Sequence, residues 1–144
     1  MAKWPVLTPF IRNLTVWPSH IDAFGHVNNA RYVEWAMDLA WAHSEAVGLS
    51  FKDYKALGAG MVIHRHDFTY VKAAQVGDEI EMATWIAAND GRVRIERAFE
   101  FRLAGSDAPV FRGSSHMVSI DIDTGRPCRM PRVFREKYSV DDVQ

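Results

Sequence analysis

The chain has 144 residues, 48% of them apolar and 24% charged, with a formal net charge of −1. That is enough for one packed domain, and so balanced a charge excludes nucleic-acid or anionic-membrane binding driven by bulk electrostatics. A single cysteine, Cys128, excludes an intrachain disulfide and fits a reducing compartment.

The first ten residues carry Pro5 and Pro9 and no sustained apolar run, so no signal peptide is read. No apolar stretch reaches the length of a membrane span. The expected setting is the cytoplasm, and the expected organisation is a single domain over residues 1–144. Phe10 to Trp17 reads as a short strand that Pro18 breaks. Ser19 to Asn28 is a loop containing Gly25. From about Asn29 to Val47 the pattern turns helical. Arg31, Glu34, Asp38 and Glu45 form one polar stripe, and Tyr32, Trp35, Ala36, Leu39 and Trp41 belong to a wide apolar face that demands burial. Gly48 is a C-terminal stop. Phe51 to Leu57 reads as a second helix with Ser50 as its cap.

The rest reads as strands: Met61–Val71, Asp78–Ala88, Arg92–Leu103 and Val110–Ile122. The third alternates most clearly, with Val93, Ile95, Phe99, Phe101 and Leu103 on one side and Arg92, Arg94, Glu96, Glu100 and Arg102 on the other. Asn89-Asp90-Gly91 is a hairpin signal, and Gly77-Asp78 and Gly105–Pro109 are turns. Pro131 to Tyr138 reads as a short helix. Hairpins imply an antiparallel sheet, and the one long apolar helix needs that sheet as its cover. The expected architecture is therefore α+β, a sheet wrapped around a central helix, with sheet aromatics that suggest pairing with a second copy.

The informative segment is Asp22-Ala23-Phe24-Gly25-His26-Val27-Asn28-Asn29-Ala30-Arg31-Tyr32. It ends where the buried helix begins. A first helical turn has unpaired N–H groups and a partial positive potential, which suits a polarised carbonyl or oxyanion. A carboxylate in a glycine-containing loop just upstream can fold back beside that end. A base or nucleophile next to one charge stabiliser is a minimal hydrolase.

This segment resembles the active-site segment of hotdog thioesterases of the 4-hydroxybenzoyl-CoA thioesterase type, through its Asp-x-x-Gly-His-Val-Asn-Asn-x-x-Tyr pattern. It is also similar to the His-Val-Asn-Asn segment of plant acyl-carrier-protein thioesterases. Asp67 to Asp78, a strand entering a Gly-Asp turn, is a second and weaker likeness, and the element order agrees over roughly residues 10 to 138. The resemblance implies a hotdog fold and hydrolysis of an acyl-CoA thioester, with Asp22 as general base or nucleophile. It makes the backbone N–H of Asn29 the oxyanion donor. His26 and Asn28 would shape the loop, Gly25 would permit close approach, and Tyr32 completes the motif. It implies no cofactor and no metal. The implied partners are the acyl-CoA and further copies of the chain, as a homodimer or homotetramer with inter-subunit sites, with neither nucleic acid nor membrane. The pattern departs at His20, Met37 and Ala73-Ala74, where relatives carry acidic residues and a proline. At Phe24 the plant enzymes carry asparagine.

Other residues have blander readings. His64 and His66 have strand spacing and are expected to share a face; His64 is a candidate for the substrate pocket. Arg92, Arg94, Arg97, Arg102 and Arg112 read as a solvated, salt-bridged face, from which some could serve the phosphates of coenzyme A. Trp35, Met37, Trp41 and Met61 stand where an acyl pocket could form. Rival functions are an acyl-carrier-protein thioesterase, a non-catalytic acyl-CoA binding protein, and a hydratase or dehydratase. The last expects an Asp-x-Asn-Pro-x-His motif, against Asp22-x-x-x-His26 here.

Overall fold

A computed structural model describes residues 4–144. The elements follow in the order β1 (Phe10–Thr15), α1 (Asn29–Ala46), α2 (Phe51–Leu57), β2 (Ala59–Tyr70), β3 (Glu79–Asn89), β4 (Arg94–Leu103), β5 (Pro109–Asp121) and α3 (Arg132–Lys137). A 3-10 turn at Pro18–His20 ends the run that begins in β1. Every expected element is present, with ends displaced by one or two residues.

The strands form one antiparallel sheet in the order β1-β3-β4-β5-β2. Hairpins join β3 to β4 and β4 to β5. The expected hairpin run does not include β2. That strand pairs with β5, so residues 71–78 carry the chain from one side of the sheet to the other. β1 and β2 are left at the edges.

Helix α1 crosses the concave face. Tyr32, Trp35, Ala36 and Leu39 pack into one cluster with Ile80, Met82, Phe99, Phe101 and Phe111. Burial of side chains of this size contributes about 1.5–3 kcal/mol each. A second cluster gathers Tyr54, Ile86, Ile95, Met117, Phe134 and Tyr138 around α2 and α3. Asn89 fixes α3 to the sheet: its side-chain amide donates to the carbonyls of Tyr138 at 2.9 Å and Phe134 at 3.4 Å. Trp41, expected in the buried stripe, is 40% exposed and meets Phe51 and Tyr54 of α2 edge-on or tilted. No helix among the described residues is long and apolar enough to cross a membrane.

The placements of four side chains correct the sequence expectations. Arg97 is not part of a solvated face. It shares the inward parity of Ile95, Phe99 and Phe101 and is 2% exposed beneath α1. Arg102 does point outward, yet it is buried too, because Trp4 lies over its guanidinium and Glu100 accepts from its Nε at 2.6 Å. His64 and His66 do not share a face. A bulge between Ile63 and Arg65 rotates the strand, leaving His64 beside His116 on the outer side (6.4 Å between rings). His66 turns inward, where its Nδ1 meets Ser115 Oγ at 2.8 Å and its ring stacks on Phe68. An extra residue in one strand inverts side-chain parity beyond it.

Candidate active site

The loop from Asp22 to Asn28 closes on itself through its main chain. The N–H of Asp22 donates to the carbonyl of His26 at 2.8 Å, and Gly25 N–H donates back to the carbonyl of Asp22 at 3.1 Å. Gly25 adopts φ 80°, a left-handed conformation that glycine takes without a Cβ penalty. Oδ1 of Asp22 accepts the N–H of Phe24 at 2.9 Å and, more weakly, that of His26 at 3.4 Å. This turn orients the carboxylate through one oxygen. Oδ2 has no hydrogen-bond partner among the described residues. The His26 ring is exposed, so His26 joins the loop through its main chain.

Asn28 is the N-cap of α1. Its Oδ1 accepts the N–H of Ala30 at 3.0 Å, and its carbonyl accepts the N–H of Arg31 at 2.9 Å. Of the first three helical N–H groups, the cap therefore occupies two. The N–H of Asn29 is left unclaimed among the described residues, at the positive end of an 18-residue helix.

The opposite wall is the segment after β2. Val27 N–H donates to the carbonyl of Ala74 at 3.1 Å, and Ala74 N–H donates to the buried hydroxyl of Tyr32 at 3.2 Å. Burial holds the Tyr32 hydroxyl above its ordinary pKa, so it stays neutral. Between the walls lies a cleft of about 260 Å³ that Asp22, Asn29, His26 and Tyr32 line together with Tyr70 and Lys72. The structure thus brings Asp22, His26, Asn29 and Tyr32 into one cleft, with Gly25 and Asn28 setting its loop. His64 is not among them; it borders a separate cavity on the outer sheet face with Arg65, Glu96 and His116. Tyr70 carries no sequence signal as a site residue, and only the crossover after β2 brings it and Lys72 to the helix N-terminus.

His20, two residues before Asp22, is tied by its Nδ1 to the N–H of Trp17 at 2.9 Å, with its ring edge-on to Trp35. Burial, then the nearby Arg31, holds its pKa below the usual range. It packs the loop against α1 in the neutral form.

A five-stranded antiparallel sheet curled over one long helix, with its cleft at the helix N-terminus, is the hotdog fold. The sequence profile of the thioesterase-like superfamily matches residues 16–138, and the chain belongs to that superfamily. Thioester hydrolysis is the general activity which that membership supports. Among solved structures, a Staphylococcus aureus protein determined in complex with CoA superposes with a TM-score of 0.83 at 20% identity, covering 94% of this chain and 85% of that one. A 1,4-dihydroxy-2-naphthoyl-CoA thioesterase from Synechocystis gives 0.80 at 16% identity, covering 91% and 96%. A predicted thioesterase from Bacillus stearothermophilus gives 0.77 at 26% identity, covering 91% and 94%. A sequence comparison against curated proteins gives no match.

Proposed function

We propose that this chain, acting as one domain over residues 1–144, hydrolyses an acyl-CoA thioester to the free acid and CoA, as enzymes of the 4-hydroxybenzoyl-CoA thioesterase type do. The observation that carries this is the meeting, in one cleft, of the Asp22 carboxylate and the unclaimed N–H of Asn29. With Oδ1 held by the loop, Oδ2 is the oxygen left to react.

In one route Oδ2 takes a proton from water while the water oxygen bonds to the thioester carbon. The carbonyl oxygen becomes an oxyanion facing the Asn29 N–H and the helix end. Collapse breaks the C–S bond and releases the thiolate of CoA, a good leaving group that needs no strong acid. In the other route Oδ2 attacks the carbon itself, the thiolate leaves, and water opens the resulting anhydride. Lys72 at the cleft mouth offers a cation for the phosphates of the coenzyme. A fold neighbour determined with CoA is consistent with a ligand of that kind.

Assembly follows from the sheet edge. β2 is unpaired on one side and exposes Val62, Ile63 and Tyr70, with Val71 just beyond its end, so a second copy pairing along β2 would cover apolar surface beside the cleft. The expected state is a dimer or a dimer of dimers, in the cytoplasm; a stable, active monomer in sedimentation would overturn it.

The test is thiol release from a panel of short, long, hydroxylated and aromatic acyl-CoAs by wild type and Asp22→Asn. Activity that falls by about two orders of magnitude or more in the variant supports the reading. Activity retained by Asp22→Asn, or no release from any member, defeats it. Label in the Asp22 carboxylate after a single turnover in ¹⁸O water would identify the anhydride route, with water attacking the aspartyl carbonyl.

A further inference from the structure

The second half of α1 covers another cavity, of about 70 Å³. Its walls are mostly apolar, with Met37, Ala40 and Trp41 of the helix, Met61 and Ile63 of β2, and Met117 of β5, and Ser44, Tyr54 and Tyr138 line it too, their hydroxyls bonded to one another. Its polar end is Arg97, 2% exposed. Nη1 of Arg97 bonds Nδ1 of His43 at 2.8 Å and Oγ1 of Thr84 at 3.2 Å. Nε and Nη2 have no hydrogen-bond partner among the described residues. Every fully enclosed side-chain nitrogen or oxygen among those residues does have one, so these two nitrogens keep some accessible surface, on a side chain that lines this cavity.

The charge is as telling as the geometry. Burial pulls the Arg97 pKa down to about 10, which still leaves a cation at neutral pH. Its neighbours are neutral: burial, then Arg97 itself, lowers His43 to about 4, and burial raises Tyr54. No carboxylate is among the groups that act on it. The C-terminal end of α1 supplies only about half a negative charge. A buried guanidinium without an anion is costly, and its planar fork fits a carboxylate.

This cavity and the Asp22 cleft lie along one seam between α1 and β2. At the cleft end Tyr32 meets Tyr70, with ring centroids 5.8 Å apart. At the other end Met37, Ala40 and Trp41 share a cavity with Met61 and Ile63. From Asn29 to Ala40 the helix rises about 16 Å, further than one aromatic ring reaches. At about 10–15 Å³ per water, the cavity holds roughly five, enough for a carboxylate and the methylene before it.

We propose that Arg97 reads the far end of the acyl group, and that the preferred substrates are ω-carboxyacyl-CoA thioesters whose distal carboxylate pairs with its free donors. This rests on thioester hydrolysis at Asp22.

The experiment compares kcat/KM for two series of saturated acyl-CoAs of matched length, one methyl-ended and one ω-carboxylated. Wild type is expected to favour the carboxylated series by about tenfold or more at its best length. Arg97→Met should lower that ratio by about tenfold to a hundredfold, and Arg97→Lys should restore part of it. Met117→Glu, which delivers a carboxylate to the same cavity, should lower the ratio likewise and serves if Arg97→Met does not fold. A wild-type ratio at or below one, or a ratio unmoved by the variants that fold, overturns the proposal. Hydrolysis confined to methyl-ended thioesters removes the role of Arg97 and leaves Asp22 standing. No release from either series removes both.

Discussion

The hydroxyl of Tyr32 accepts the main-chain N–H of Ala74, and through that bond α1 holds the wall facing Asp22 in place. Tyr32→Phe leaves a buried N–H without a partner, at a cost of about 1–3 kcal/mol. The wall also carries Tyr70 and Lys72, so the variant is expected to raise KM as well as lower the urea midpoint. A variant with wild-type stability and kinetics would show that the bond does not set the cleft.

Asn28 offers a separate test of the helix end. Asn28→Ala removes the acceptor for Ala30 N–H and should cost about 0.5–2 kcal/mol. Asn28→Asp keeps an oxygen at that place and should retain most of the stability while adding charge beside the Asn29 N–H. If that N–H receives the developing oxyanion, Asn28→Asp loses kcat out of proportion to its small effect on folding. Equal losses of kcat in both variants would argue against such a role.

Acid should weaken the fold through His43. Its pKa falls from 6.5 when unfolded to about 4 when folded, chiefly by burial and secondly by Arg97. The unfolded chain therefore binds more protons between those values, so the contribution is complete above pH 6.5 and is lost as pH falls towards 4. Between pH 7 and 5 this amounts to about 2 kcal/mol. In His43→Asn, which keeps an acceptor for Arg97, the loss of stability over that interval should be smaller by about that amount. Urea unfolding at the two pH values reads it directly, and parallel losses in wild type and variant would exclude His43 as the source.

Gly113 should be the least replaceable glycine of the sheet. Its φ is 155°, and a Cβ there would stand 2.1 Å from the carbonyl oxygen of Asp67 and 2.8 Å from the Phe68 ring. Gly113→Ala is expected to cost several kcal/mol. Gly125→Ala, with nothing within 4 Å, should show only the smaller strain of a positive φ. Comparable thermal midpoints for the two would refute this.

The elements are legible in the sequence wherever the signal is local. Ser50 caps α2 as expected, with Asp53 returning a bond to its N–H, and the Asp90 carboxylate ties the hairpin turn by accepting the N–H groups of Arg92, Val93 and Arg94. The loop with Asp22 and the helix end at Asn29 are legible for the same reason, being seven residues apart. Long-range facts are not. Nothing local says that β2 pairs with β5, which is what brings Tyr70 and Lys72 to the cleft. The bulge at His64 is equally silent, since a strand with one extra residue reads like a regular one. Arg97 is within reach: the alternation points positions 95, 99 and 101 inward, and residue 97 shares their parity. Its charge argues for solvent, and tertiary packing decides otherwise.

The seam between α1 and β2 separates two tasks that a single loop would have to combine. In the proposed mechanism, bond breaking falls to residues 22–29, where the main chain does most of the positioning. On the same proposal, selection of what is broken falls to side chains two to three helical turns further on, above a floor supplied by other strands. Descendants of this chain can therefore change diet by substituting Met37, Trp41 or Met117 while leaving the cutting edge intact. A hydrolase laid out this way diversifies along the helix, not at its tip.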